Sequence, residues 1–406
     1  MRSSQTGVAA GLLFLVLASI TAVTLAAERG ADTDQQADGP PRLQVLPVPD
    51  NGIQPRLVQA ANGDIHLLYF RKRMADRRNR EGDLYYRQFN YQDGSWGLPV
   101  RVSSGSYAHL DAIGRAAMAI DGSGRLHVVW YQDRPQPAYF YTRSDTQRTR
   151  FEPARSMVTE NLLGVDAGAD ITASKEQVVI SWAAGDLMHE DQRAVFMRRS
   201  DDGGASFAVE QRISDPALGA CACCSLAVDY RQEHELLLGY RSAIANSGRH
   251  MQIAMLDMSA TDPVPDYRPL HPLQRWELSA CPVTTNDLLS SADYGTWMVY
   301  EMQNKVLVHH LPVQTNAQML PPAPFQAAEP LSQTRQKHPA ISLDASGQML
   351  VAWGEGIGYT RGGALNLAVF NAQGKRLDVP VPELVLPDFS FPAVASLPDN
   401  QFLLLY

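Results

Sequence analysis

The chain has 406 residues, 45% of them hydrophobic and 19% charged, a balance that suits a globular body with a sizeable core and excludes a disordered protein. A formal net charge of −8 opposes nucleic-acid binding, which needs clustered excess Lys and Arg against phosphate. The length allows two domains, but the repeats described below argue for one.

At the N-terminus, Arg2 precedes an uncharged apolar run, Val8 to Ala27, that ends in small residues. This is the layout of a secretory signal over residues 1–27, and it predicts a periplasmic or secreted protein. The run is also long enough to span a bilayer if it stays uncleaved, and it is the one membrane contact expected. Residues 28–42 (ERGADTDQQADGPPR) lack aromatics and read as a disordered linker. Residues 43–406 then form one domain, expected as a monomer.

Within that domain a module recurs: a short apolar strand, a polar turn, and a β-rich run ending in an aromatic. The copies end at Tyr69, Trp130, Trp182, Tyr240, Tyr300, Trp353 and Tyr406, at intervals of 61, 52, 58, 60, 53 and 53 residues. A third run follows each pair, such as Asp83–Arg87, Ala138–Tyr141 or Ala364–Phe370, and a weaker fourth closes the unit. Such a period, filled by four short strands, predicts an all-β propeller of four-stranded blades, seven by this count, with almost no helix. The terminal aromatics are expected to pack between blades. His66 and His127 recur three residues before them, which argues for packing and not for a site. The last copy stops after its second strand, so Leu43–Val48 is expected to return as an outer strand and close the ring.

In the third unit, Ser200-Asp201-Asp202-Gly203-Gly204-Ala205-Ser206-Phe207 fits the pattern S-x-D-x-G-x-S/T-F/W. Asp202 can cap backbone N–H groups of the turn, Gly204 permits positive φ, and Phe207 can pack between strands. Weaker copies stand at Ser144-Asp145-Thr146 to Phe151 and at Asp93–Trp96. The pattern resembles the Asp-box of the bacterial neuraminidase repeat, in the sialidase-like propeller superfamily. That resemblance implies six blades where the repeat count gives seven.

Strand order places the loops that enter each inner strand on one face with those joining second to third strands, and function is expected there. Cys221, Cys223 and Cys224 lead into the fourth blade and Cys281 into the fifth, so all four thiols should converge where these blades meet. Three readings stand open: disulfides that staple the blades, a thiolate site for copper or zinc, or a reactive thiol. The Cys-x-Cys-Cys and distant Cys-Pro resemble a set of uncharacterised exported sialidase-like proteins over most of residues 50–406. No Cys-x-x-Cys-His haem motif occurs.

On the same face lie Arg241 and Glu301, each just after a terminal aromatic, together with Asp133, Tyr359 and Arg361. The sialidase resemblance implies an arginine trio for a sugar carboxylate, an Asp acid/base and a Tyr nucleophile assisted by Glu. Arg56 or Arg71, Arg241 and Arg361 could form the trio, with Asp133, Tyr359 and Glu301 in the other roles. The family's Arg-Ile-Pro triplet is missing, however. Two classes of function follow: a ligand-, metal- or partner-binding module with a cysteine-lined face, whose partner would be carbohydrate or an exported protein, or an exo-glycosidase with a degenerate signature. The basic loop Arg71–Arg80 reads as a solvated loop able to steer an anion.

Overall fold

A computed structural model describes residues 40–73, 80–103, 105–259, 266–268, 275–313, 322–330 and 334–406. The expected signal (1–27), nearly all of the expected linker (28–39 of 28–42) and the middle of the basic loop (74–79) lie outside the described residues.

Seven separate sheets, antiparallel but for one terminal pair, follow one another around the ring, so the repeat count holds and the count of six does not. The inner strands are Ile53–Gln59, Ala117–Ile120, Asp166–Ser174, Ala227–Gln232, Asn286–Ser291, Gln336–Leu343 and Ala393–Leu397. Residues from all seven line a single axial cavity of about 550 Å³, which fixes these strands as the innermost of a closed ring. The described residues contain only two helical turns, 3-10 segments at Pro49–Asn51 and Glu190–Gln192.

Five sheets have four strands. The first blade adds short strands at Val100–Arg101 and Ala108–His109, and the seventh has three. In that last blade Arg42–Leu46 pairs in parallel with Gln401–Leu405, taking the outer position that the truncated seventh repeat leaves open. A parallel mate is what a strand from the far end of the chain can supply, and it protects a bare edge.

Second strands are buried on both sides, and their aromatics form the packing between blades. Tyr69, Trp130, Trp182, Tyr240, Tyr300 and Trp353 are all buried. His66 and His127 are fully buried, and each bonds through Nδ1 to a tyrosine hydroxyl of the neighbouring strand, Tyr86 at 2.9 Å and Tyr141 at 2.8 Å. At the Ser200–Phe207 turn, Asp202 accepts from the Ser206 backbone N–H at 2.8 Å and from the hydroxyls of Ser206 and Ser200, while Phe207 packs edge-on to Tyr141. Gly204 has φ +75°, and a Cβ there would lie 1.9 Å from the Tyr141 hydroxyl.

Three inner strands enter the ring through β-bulges, between Ile53 and Arg56, Asp166 and Asp170, and Lys337 and Ala340. A bulge re-aims the residues beside it. Two of these strands place charged side chains, Arg56 and Asp170, together at the axis.

Candidate cysteine-lined site

The segment Gly219–Ser225 lies at the entry to the fourth blade and is tied down through its backbone. Ala220 N–H donates to Glu190 O at 3.1 Å, Cys221 N–H to Arg241 O at 2.9 Å, and Ser225 N–H to Thr284 O at 3.2 Å. Gly219 turns at φ +60°, and a Cβ there would meet Glu190 and Asp191 backbone at 2.7 Å, so no larger residue fits this close approach. Cys224 pairs in a parallel bridge with Thr284, three residues after Cys281. Lys337 of the sixth blade pins the intervening loop by donating to Pro282 O at 2.5 Å and Val283 O at 3.0 Å.

This anchoring gathers the sulfurs. Cys221 Sγ is 3.5 Å from both Cys223 Sγ and Cys224 Sγ, and all three are buried with Sγ atoms within 4.8 Å of one another. A disulfide bond would hold them about 2.05 Å apart, and all four cysteines are free. The staple reading therefore does not describe this structure. Cys281 is exposed and stands outside the triad, its thiol in hydrogen-bond contact with that of Cys223.

Polar groups surround the sulfurs unevenly. Arg241, fully buried, donates through Nη1 to Arg249 O at 2.9 Å and through Nη2 to Glu301 O, and its guanidinium lies over the Trp276 ring at 4.9 Å. Glu301 Oε2 is 3.9 Å from Arg241 Nη2, and Arg249 is ion-paired with Glu190. Burial by itself raises the Cys224 thiol, but hydrogen bonds with Cys221 and Cys223, the Arg241 charge and a Thr284 backbone contact hold it well below its ordinary range. Hydrogen bonds to the other thiols push Cys223 up, with burial adding to them; for Cys221 the hydrogen bond with Cys223 lowers the thiol, but its contact with Cys224 and its burial together raise it. The Arg241 guanidinium beside Cys224 thus favours the deprotonated form there over Cys221 and Cys223. Burial raises the Glu301 carboxyl to about 7.

The remaining candidates have other partners. Asp133 accepts from Tyr107 OH at 2.6 Å and lies 3.2 Å from His109 Nδ1. Tyr359 is half exposed, with its hydroxyl 3.4 Å from Asp111 Oδ2 and Arg80 over its ring. Arg361 Nη2 reaches Gly356 O at 3.5 Å. Of the arginines weighed for a carboxylate trio, Arg56 pairs with Asp287 at 3.0 Å and Asp170 at 3.5 Å, Arg71 lies over Tyr85, and Arg241 spends its donors on backbone carbonyls. Of the charged candidates, then, the structure brings Arg241 and Glu301 to the cysteines.

Sequence reasoning missed the axial charges. Asp170, Asp229 and Asp287 stand on the inner strands of three successive blades, eleven to thirteen residues before Trp182, Tyr240 and Tyr300, a repeat visible in the sequence. Arg115, near the start of the second blade's inner strand, and His338, in the sixth blade's bulge, carry no such signal.

No family model matches the chain, and no curated protein matches it in sequence. Solved structures do match. A protein of unknown function from Dyadobacter fermentans is 12% identical, with a TM-score of 0.50 over 78% of this chain and 93% of its own. An α-L-arabinanase from Penicillium chrysogenum, complexed with arabinobiose, is 10% identical, with a TM-score of 0.50 over 80% and 95%. The Trypanosoma rangeli sialidase is 10% identical, with a TM-score of 0.48 over 76% of this chain and 53% of its own. At such identities the likeness is one of fold. The chain is a seven-bladed β-propeller with a buried triad of free cysteines.

Proposed function

We propose that this is an exported propeller that binds a soft metal ion, copper(I), through Cys221, Cys223 and Cys224. The observation that carries the reading is the 3.5 Å separation of Cys221 Sγ from both partners, close to the spacing of thiolates at about 2.3 Å around one ion. Three sulfurs with no imidazole or carboxylate in the group suit a soft, monovalent ion of low coordination number. Zinc takes four ligands in structural sites, and here a fourth would have to come from the exposed Cys281. Burial excludes competing water ligands, and Arg241 offsets part of the charge that three thiolates would carry. The apolar run at residues 8–27 supports export.

The test is to purify the full chain under anaerobic reducing conditions, load it with copper(I), and count metal and thiols. One copper per chain is expected, with sulfur-only coordination in X-ray absorption and loss of binding in Cys223→Ser. Four titratable thiols with no metal retained after loading would overturn the reading.

A further inference from the structure

The axis of the ring carries a buried cation that no acceptor among the described residues reaches. Arg115 is 9% exposed and lines both the axial cavity of about 550 Å³ and a smaller space beside it of about 10 Å³. Its one close contact of note is with the Phe391 ring, 5.8 Å from the guanidinium carbon to the ring centre. The carboxylates around it are held by other donors. Asp287 takes Arg56 Nη1 at 3.0 Å on one oxygen and Ile341 N–H at 3.2 Å on the other. Asp170 takes Arg56 Nη2 at 3.5 Å and Val228 N–H at 3.0 Å. Asp229 takes Thr172 Oγ1 at 3.3 Å and Ser290 N–H at 2.8 Å. Arg56 thus absorbs two carboxylates and Arg115 none.

Burial and the neighbouring Arg56 charge lower the Arg115 pKa to about 10, although the Asp287 and Asp170 charges raise it in part, so the guanidinium is still a cation near neutral pH and no described carboxylate touches it. His338, whose ring packs on the same Phe391 at 4.1 Å, adds a second buried nitrogen, Nδ1, without a partner. Thr285 Oγ1 and Asn286 Oδ1 are also unpartnered, and both residues line the 10 Å³ space, which is about the room one water needs. A water shared by those two accounts for them. It does not account for Arg115, which also opens on the large cavity. A buried charge is normally paired, and the partner missing here is an anion.

We propose that the axial cavity binds a small monovalent anion, chloride or a short-chain carboxylate, on the Arg115 guanidinium. A planar guanidinium holds a carboxylate bidentately, and the apolar wall of Met118, Ile171, Ile341 and Val394 suits a short alkyl tail. Asp229 and Asp287 on the same wall disfavour a dianion. The site is separate from the thiol triad and does not depend on a metal there.

The test uses the full chain with its thiols reduced and no metal added. Thermal unfolding is followed as sodium chloride or sodium acetate is titrated into a fixed sodium sulfate background, since sulfate itself stabilises folded proteins by exclusion from their surface, and the 35Cl NMR line width is measured with and without acetate. The melting temperature should rise saturably with added chloride or acetate, and protein should broaden the chloride line. Removal of that broadening by acetate assigns both anions to one seat; persistence of the line width with acetate stabilisation lost would make the site chloride's alone. Arg115→Met should abolish both effects, and Arg115→Lys should keep chloride binding while weakening acetate more. A melting temperature that does not rise saturably with added chloride or acetate, or line broadening unchanged in Arg115→Met, would overturn the proposal; the wild-type titration decides even if the Met variant does not fold.

Discussion

Arg241 and Glu301 occupy the same place in adjoining blades, directly after Tyr240 and Tyr300, and meet with Nη2 3.9 Å from Oε2 behind Cys224. Both side chains are buried, so the pair links the blade seam to the sulfur cluster by charge. Arg241 is held charged against its own burial by Cys224, Glu301 and Cys221. Replacing it by Gln leaves Glu301 without its cation and the thiolates without theirs. Copper(I) affinity of Arg241→Gln, measured by competition with a chromogenic chelator, should fall about tenfold or more, the scale of ~1.4 kcal/mol. Glu301→Gln should leave affinity unchanged or raise it. Equal affinity in wild type and Arg241→Gln would show that the guanidinium serves the fold alone.

Asp229 sets a pH dependence of stability. Its carboxyl faces Thr172 and Ser290, with Asp170, Asp287, Arg56 and Arg115 around the same axis. Burial is the main cause that lifts its pKa from 3.8 to about 7. Between those values the unfolded chain has released this proton and the folded chain keeps it. The Asp229 contribution therefore falls as pH rises from about 4 to about 7 and is level above that. Asp229→Asn removes the term, so the stability difference, variant minus wild type, should grow over this window. Denaturant unfolding at pH 5, 6, 7 and 8 measures it, and a constant difference would contradict the assignment.

Two glycines with positive φ separate backbone conformation from packing. Gly63, at φ +88°, has nothing within 4 Å of the place a Cβ would take, whereas Gly204, at φ +75°, would place one 1.9 Å from the Tyr141 hydroxyl. Gly63→Ala should cost about 1 kcal/mol, the conformational term alone. Gly204→Ala should cost clearly more, because Tyr141 lies between His127 and Phe207 and has no room to move. Equal losses in chemical denaturation would place the value of that turn in its backbone only.

Much of the fold was legible because a propeller repeats its errors as well as its rules. A single short apolar run cannot be told from a helix turn, but seven runs ending in Tyr69, Trp130, Trp182, Tyr240, Tyr300, Trp353 and Tyr406 can. Strand order puts the loop of Cys281 beside the Cys221–Cys224 segment, but the buried group holds only Cys221, Cys223 and Cys224, all from one loop, and Cys281 stays exposed outside it. The pairing state was not legible, because it depends on about 1.5 Å between sulfurs, fixed by Lys337, Thr284 and Arg241 from three other segments. The roles imagined for Asp133, Tyr359 and Arg361 rested on face alone, and a face is wide. Tyr107 and Asp111, which hold Asp133 and Tyr359, carry no motif. Arg115 was missed because one arginine near a strand start looks like any other until its neighbours are counted.

Closure of the ring gives a sharper test of the fold. Leu43 and Val45 pack on the core shared by the sixth and seventh blades, with Leu367 and Leu404, while Leu46 packs toward Leu67 and Tyr69 of the first. The strand Arg42–Leu46 therefore ties the seventh blade to both neighbours, in addition to pairing with Gln401–Leu405. These side chains are partly buried, so each contributes a part of the roughly 1.5–3 kcal/mol that full burial gives. A chain starting at residue 49 should lose several kcal/mol of stability relative to one starting at residue 40, seen as a lower melting temperature. It should also associate on warming, since Gln401–Leu405 would become a bare apolar edge. Light scattering during the melt reads the second effect. Leu43→Glu with Val45→Glu should reproduce the loss of stability without baring the edge, which separates packing from pairing. An unchanged melting temperature in the shortened chain would mean that two strands suffice to close the seventh blade.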